Sequence, residues 1–456
     1  MRPRLVSVSF SLVLAASPAL AQDWPCWRGP SYDGSSPATG LVRTFDADTG
    51  VRWEAALPGP GASTPIVVGE RVFLTSLDGE TLVALCFDRR TGALAWKCAL
   101  GSGYRAGEQG STTVLHDRSN YASPSPVADA ERVVFFFGNG DLVATDHAGE
   151  ELWRRNLQKD HGDFAFQWTF SASPTLEGGR LYVQVLQRDE PVNGVGGDAP
   201  SFLLALDPKS GEQLFRHVRP AKARKESLES YATPIPYVAP SGERSLLVVG
   251  GDVLTAHDMQ TGAELWRWGT WNEGHREEWW RIVPSPVVGA GHVLVCAPKR
   301  APVYAIRLAT AGVEGAEPLA WKSEGRANPV SSDVPTPLFY QGRFYVLSDV
   351  REALSCVAPD TGEVAWTIAL PREHLWRASP TGADGRVWLV DHGGRVLVVD
   401  AKDGKTLHSA ALGDEDEDRV RSSIAVAHGD VYVRTSTKLL CFGAGPEPES
   451  APAGGR

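Results

Sequence analysis

The sequence predicts an all-β fold: an eight-bladed β-propeller of four-stranded antiparallel blades, closed by an N-terminal strand. Two recurring half-repeats, and the way the chain ends divide one repeat between them, point to it. The first half-repeat is a small hydroxyl residue before Pro. It stands at Thr64-Pro65, Ser125-Pro126, Ser173-Pro174, Thr233-Pro234, Ser285-Pro286, Thr336-Pro337 and Ser379-Pro380, with Ser423-Ile424 as an eighth copy lacking the Pro. The mean spacing is about 51 residues, a period typical of propeller and array repeats. The second half-repeat reads apolar-x-Asp-x-x-Thr-Gly-x-x-x-Trp, as in Asp88 to Trp96 and Asp258 to Trp266. A displaced copy runs from Asp360 to Trp366. Weaker copies start at Asp146, Asp207 and Asp400, and Leu319-Ala320-Trp321 keeps only the final Trp.

Each hydroxyl-Pro pair is followed by a β-branched and aromatic run, such as Arg71-Val72-Phe73-Leu74, Arg180-Leu181-Tyr182-Val183 or Asp430-Val431-Tyr432-Val433. Such runs bounded by Gly read as strands. The Asp-x-x-Thr-Gly segment reads as a tight turn: Asp and Thr bond the turn backbone and Gly supplies its positive φ. The Trp then sits on the outgoing strand and fills space against the neighbouring unit. Four short strands cannot bury both faces alone, whereas radial stacking and ring closure protect the edges. The last repeat, Ser423 to Phe442, lacks a Trp-bearing strand, and Asp46 to Trp53 has that strand without the preceding ones. The two are expected to complete one split blade.

With 456 residues, 42% hydrophobic content and 15 Trp, the chain is globular rather than disordered. A net charge of −10 leaves no basic surplus for nucleic acid or anionic lipid. Arg2 and Arg4, the apolar stretch Leu5 to Leu14 and the Ala19-Leu20-Ala21 site read as a signal peptide over residues 1–21. The mature protein is therefore expected to be periplasmic or secreted, with no transmembrane segment, and monomeric. An N-terminal segment over 22–44, the propeller over 45–443 and a disordered tail over 444–456 complete the expected organisation. Of the six Cys, Cys86, Cys356 and Cys441 share one place in three repeats, where strands lie too far apart to be bridged. Cys86 and Cys98 flank one hairpin, a pairing left open, and Cys26 and Cys296 have no evident mate. No C-x-x-C, H-E-x-x-H or G-x-S-x-G occurs.

The Asp-x-x-Thr-Gly-x-x-x-Trp turn resembles the tryptophan-docking motif of the PQQ-like (pyrroloquinoline-quinone-like) propeller superfamily, which holds the quinoprotein alcohol dehydrogenases and the outer-membrane assembly lipoprotein BamB. The resemblance covers about residues 45–443. Asp23-Trp24-Pro25-Cys26-Trp27-Arg28-Gly29-Pro30, Gln167-Trp168-Thr169, Trp266 to Trp271 and Cys296-Ala297-Pro298-Lys299 look like marks of exported PQQ-like repeat proteins of planctomycetes. The dehydrogenase side of the resemblance implies PQQ on the axis between a Trp and adjacent disulfide-bonded Cys, with Ca²⁺ and an Asp base. No Cys-Cys pair exists here. Asp333, Asn328, Asp349 and Trp376 are open to such parts, but nothing in their spacing selects them.

Segments before each hydroxyl-Pro pair should ring the channel mouth: Asn120-Tyr121, Gln167-Trp168, Glu229 to Tyr231, Trp279 to Arg281, Asp333, Trp376-Arg377, Arg419 and Arg421. Polar and aromatic groups converging there make the default ligand site. The expected binding residues are Trp168, Tyr231, Arg281, Asp333, Trp376, Arg377 and Arg421, the plainer alternative being loop packing. Residues 97–122, 187–201 and 216–230 are longer than ordinary connections. The acidic run Asp414 to Asp418 reads as a solvated loop. No catalytic residue and no metal ligand is assigned, and no cofactor is expected. The expected role is a non-catalytic binding or scaffold module for protein or polysaccharide partners of the cell envelope. A PQQ- and Ca²⁺-dependent oxidoreductase and a BamB-like assembly factor are the alternatives.

Overall fold

The computed structural model describes residues 22–102, 119–269, 271–325, 328–413 and 420–444. The expected signal peptide, part of the 97–122 loop, the run 414–418, Arg419 and the tail beyond 444 lie outside them. Eight four-stranded antiparallel sheets are arranged as blades. Blade 1 runs Ile66–Val68, Arg71–Asp78, Thr81–Asp88, Leu94–Ser102 from its inner to its outer strand, and blades 2–7 repeat that order. Blade 8 takes Ala425–Ala427, Asp430–Arg434 and Lys438–Gly443 from the C-terminal end. Its outer strand is Val51–Ala56, paired antiparallel with Trp53 opposite Cys441 and Ala56 opposite Lys438. The ring is thus closed by backbone hydrogen bonds between the two ends of the fold.

Adjacent blades are joined by the docking aromatic. The outer-strand ring of one blade lies on the turn glycine of the next: Trp53 on Gly92, Trp96 on Gly149, Trp153 on Gly211, Phe215 on Gly262, Trp266 on Gly312, Trp321 on Gly362 and Trp366 on Gly404. A Cβ on any of these seven glycines would stand under 3 Å from that side chain. Five indoles also donate Nε1–H to a carbonyl of the same turn: Trp53 to Arg89 (2.8 Å), Trp96 to His147 (3.0 Å), Trp153 to Pro208 (2.8 Å), Trp321 to Pro359 (2.6 Å) and Trp366 to Lys402 (3.0 Å). At the eighth junction His408, opposite Val398, stands in the place of the Trp, one residue on from Leu407, which is exposed. There Phe45, from the N-terminal segment, fills the gap against Trp388, His408 and Phe442.

A small residue faces each docking Trp across the ladder, because the ring needs that room. Cys86 stands opposite Trp96, Cys356 opposite Trp366, Cys441 opposite Trp53, and Ala144 opposite Trp153. The shared place of the three cysteines is therefore a packing position. All six cysteines are free, so the Cys86–Cys98 pairing left open above is not made. Burial pushes the Cys86 thiol up to about 12, which makes it inert. Two long connections are shorter than the sequence suggested, because strands extend into them. Leu94–Ser102 and Gln213–Val218 absorb their first residues, and a 3-10 turn over Lys225–Leu228 orders part of the rest.

Gly211 has φ +72° beneath Trp153, whereas Gly242 has φ +88° with nothing within 4 Å of an added Cβ. Gly242→Ala is expected to cost about 1–2 kcal/mol from backbone strain alone. Gly211→Ala should cost roughly 1–3 kcal/mol more, because the docked indole must move. Urea denaturation of both variants checks this, and equal losses would refute docking as the cause of the difference.

Candidate functional site

The hydroxyl-Pro repeats build the wall of the axial channel. Pro removes a backbone donor and holds the preceding residue extended. That preceding residue then donates its N–H to the hydroxyl of its counterpart in the next blade. The series runs Thr64 to Ser125 (2.9 Å), Ser125 to Ser173 (3.0 Å), Ser173 to Thr233 (3.1 Å) and Thr233 to Ser285 (2.8 Å). It continues Ser285 to Thr336 (2.9 Å), Thr336 to Ser379 (3.0 Å), Ser379 to Ser423 (3.1 Å) and Ser423 back to Thr64 (3.0 Å). The eighth copy keeps its place without its Pro because only the hydroxyl and the N–H are needed. A hydroxyl has one proton and two lone pairs. Each of these eight spends one lone pair on its neighbour, and none donates its proton to a protein acceptor among the described residues.

Behind this ring the N-terminal segment crosses the channel. Trp24 exchanges backbone hydrogen bonds with Val67 of blade 1 (2.8 and 2.9 Å), and Pro25 O accepts from Ala128 of blade 2 (2.9 Å). Tyr32 Oη donates to Leu176 O of blade 3 (2.9 Å). Asp33 O accepts from Phe339 of blade 6 (3.1 Å), and Ser36 N donates to Gly382 O of blade 7 (2.8 Å). Arg28 is buried and donates to Pro337 O (2.8 Å) and Pro380 O (3.0 Å), the prolines of two hydroxyl-Pro pairs. Burial lowers its guanidinium only to about 10, so it stays charged at neutral pH. Nothing in the repeat pattern announced this crossing, since the segment belongs to no repeat.

A cavity of about 250 Å³ occupies the axis. Trp168, Tyr231, Arg281, Arg377 and Arg421 line it together with Trp27 and six hydroxyls of the ring, those of Ser125, Ser173, Thr233, Thr336, Ser379 and Ser423. Five of the seven expected binding residues are thus brought together. Asp333 stands behind Arg281, taking its guanidinium on both oxygens at 2.8 and 3.0 Å and accepting Lys299 N–H at 2.7 Å. Trp376 does not reach the cavity. It is fully buried between blades 6 and 7 and donates Nε1–H to Pro371 O (2.7 Å). Trp27 and the ring hydroxyls were absent from the expected set. The hydroxyls were visible in every repeat but carried no sign of which way their protons face.

The two aromatic faces are held by acidic residues. Trp168 Nε1 donates to Glu226 Oε1 (2.7 Å), and Trp168 N donates to Tyr231 Oη (3.0 Å). Tyr231 Oη in turn donates to Glu229, which also pairs with Arg188 and accepts Gln167 N–H. Glu229 is fully buried, and that burial pushes its carboxyl up to about 7. Arg281 opposes burial with its fork and so holds Asp333 below the ordinary range, whereas burial leaves Asp349 raised. Arg377 Nε–H is buried and meets no hydrogen-bond acceptor, the nearest carboxylate oxygen, Asp349 Oδ2, being 3.6 Å away. His392, buried, with Arg421 and Arg377 next in influence, is pushed down to about 3 and is neutral at pH 7. Among the described residues the cavity lining carries three guanidiniums and no carboxylate, inside a chain of net charge −10.

These residues do not fit the PQQ and Ca²⁺ parts left open above. Ca²⁺ requires six to eight oxygens, several of them carboxylate. Asp333 is committed to Arg281, and Asn328 donates to Glu324 O (2.6 Å) and accepts from Val330 N (2.7 Å). Among the described residues no group of three or more His, Cys, Asp or Glu side chains converges as a metal site. Trp376 is buried away from the cavity, and no adjacent Cys pair exists in the sequence to sandwich a planar ring.

Eight blades locked by docked aromatic side chains, six of them Trp, with a polar axial cavity, define a PQQ-like β-propeller. A family profile described as outer membrane protein assembly factor BamB matches residues 35–183, 122–328 and 318–444, and the chain belongs to that family. BamB from Moraxella catarrhalis is similar in structure, with TM-score 0.56 and 14% identity over 86% of this chain and 97% of that one. A europium-containing methanol dehydrogenase gives TM-score 0.66 and 12% identity over 93% and 98%. The quinohemoprotein alcohol dehydrogenase of Comamonas testosteroni gives 0.61 and 14% over 95% and 82%. At such identities the likeness is one of fold. No curated protein matches the chain in sequence.

Acid should destabilise the protein through His392. Its folded pKa lies below the unfolded one, so the unfolded chain binds the proton more tightly. That contribution is complete above about pH 6.5 and is lost as pH falls toward 3, by up to about 1.4 kcal/mol per pH unit. Glu229 has the opposite sign, its raised carboxyl favouring the fold at the acidic end of the window from 4.5 to about 7. His392→Gln should therefore flatten the acid limb of stability against pH relative to wild type. An unchanged difference across pH 4–7 would refute the assignment.

Proposed function

We propose that this propeller is an exported, non-catalytic binding module of the cell envelope, which holds a protein or polysaccharide partner at the mouth of its axial channel. One observation carries the reading: Arg281, Arg377, Arg421, Trp168 and Tyr231 converge on one cavity above a ring of hydroxyl donors. Convergent polar groups with aromatic faces are what binding requires. Catalysis by acid or base requires a group poised to exchange a proton. Here Asp333 is tied down by Arg281, and Glu229 is enclosed by Arg188, Tyr231 and Gln167. Export rests on the signal-peptide pattern of residues 1–21. A role in outer-membrane assembly is the second reading, and membership of the family favours it.

The mature protein incubated with PQQ and Ca²⁺ is expected to show no saturable rise in melting temperature and no dye-linked oxidation of alcohols or sugars. A ligand binding only the native state would raise the midpoint by mass action, and a saturable rise needing both additions would sink the proposal. In capture from envelope extracts, the material retained by the wild type should be lost by the Arg377→Glu and Arg421→Glu double variant. Retention unchanged by that charge reversal would place the contact elsewhere.

A further inference from the structure

We infer that the axial cavity takes a neutral pyranose, its C–H faces against Trp168 and Tyr231 and its hydroxyls exchanging hydrogen bonds with the Ser/Thr ring. The inference rests on the binding-module reading and names the ligand class of that same site.

The hydroxyl ring is the first ground. Each of its eight members accepts one backbone N–H from the preceding blade and keeps a proton and a second lone pair. Six of them line the cavity, and Ser171 adds another hydroxyl there. Among the described residues no protein acceptor takes the ring protons. The complement of such a wall accepts and donates repeatedly at short intervals around a circle. Neighbouring sugar hydroxyls do that, since each turns to accept from one wall hydroxyl and donate to the free lone pair of the next.

Carbon surface is the second ground, and it separates a sugar from water or an inorganic ion. The polar ends of both aromatics are already spent. Trp168 Nε1 donates to Glu226 Oε1 (2.7 Å), while Tyr231 Oη donates to Glu229 and accepts Trp168 N–H (3.0 Å). What the two rings lend to the cavity is therefore carbon, joined by Trp27, Val283 and Val334. Solvent or an oxyanion would leave that surface unused. A pyranose is amphipathic in the matching way, with C–H bonds on its faces and O–H groups around its rim. Apolar walls carrying a few placed polar groups are the usual make-up of a small-molecule site.

Charge and size are the third ground. Arg281 reaches Asp333 at 2.8 and 3.0 Å, and Arg377 is ion-paired with Asp349 at 3.6 Å. These two cations meet the cavity with their charge already matched, so neither calls for an anionic ligand. About 250 Å³ is the share of roughly eight liquid waters, room for one ring rather than for a peptide with its side chains.

Calorimetric titration of the mature protein tests this, with glucose, galactose, mannose and xylose and with maltotriose, cellotriose, mannotriose and xylotriose as probes. Glucuronate, phosphate, tri-alanine, and PQQ with Ca²⁺ are the comparison ligands. Saturable one-site binding of at least one neutral sugar is expected, its affinity changing less than twofold between about 50 and 500 mM NaCl because no charge pair forms or breaks. Tryptophan emission should change with the same midpoint, since Trp27 and Trp168 line the cavity. A trimer bound at least tenfold tighter than its monomer assigns the site to a glycan chain, and a smaller difference assigns it to a free sugar. Ser173→Ala and Thr233→Val, each removing one wall hydroxyl, should weaken the sugar at least about fivefold. The salt series and the emission change are read on wild type and stand even where a variant fails to fold. No saturable binding of any of these sugars, or tighter binding of glucuronate, phosphate or tri-alanine than of every neutral sugar, overturns the inference. So does binding that leaves tryptophan emission unchanged, weakens steeply with salt, or is indifferent to both variants. If capture from extracts still depends on Arg377 and Arg421, such a failure leaves the binding-module reading intact. Binding of PQQ that requires Ca²⁺ overturns both.

Discussion

The contact on which this ring depends is an aromatic side chain lying on the turn glycine of the next blade. No blade buries its faces alone, so the ring stands through its junctions, and seven of the eight repeat that one contact. The indole covers a position where any Cβ would collide, and in five cases it also bonds a carbonyl of the turn it covers. Apolar burial and one directional bond together fix both distance and rotation between blades. The small residues opposite the rings, including Cys86, Cys356 and Cys441, follow from the same need for room. Where His408 breaks the series, Phe45 from outside the repeats restores the packing.

A second ring, of polar bonds, lies inside the first. Its eight N–H to hydroxyl bonds satisfy backbone donors that face the channel, where an unpaired buried donor is costly. The same bonds orient the hydroxyls, so a structural requirement leaves a lining of donors. With Arg28 and Trp27 brought in by the crossing segment, the axis becomes a polar site backed by protein. The chemistry of the cavity is thus a by-product of how the blades are held, modified by the few residues that differ between repeats.

Those differing residues divide into two kinds. Arg281 and Asp333, and Tyr231 and Glu229, are coupled pairs in which one member faces the cavity and the other holds it from behind. Trp376 and Arg377 are neighbours in the chain, yet one is sealed in the core and the other lines the cavity. Both kinds were legible as unusual composition before a hydroxyl-Pro pair. Their division between lining and support was not, because it depends on the path of each connection across the blade end.

The sequence by itself determined the fold, the number of blades and the split blade. These follow from local signals, turn chemistry and strand composition, repeated at a constant period and shared out between the two ends. It also placed Trp168, Tyr231, Arg281, Arg377 and Arg421 at one end of the channel, since every repeat enters its innermost strand from the same side. Only the tertiary structure decided that Trp376 turns into the core, that Asp333 is spent on Arg281, and that residues 23–36 cross the channel. Each is a contact between residues far apart in the chain. Repetition reports what neighbouring blades share and is silent about what meets at the axis.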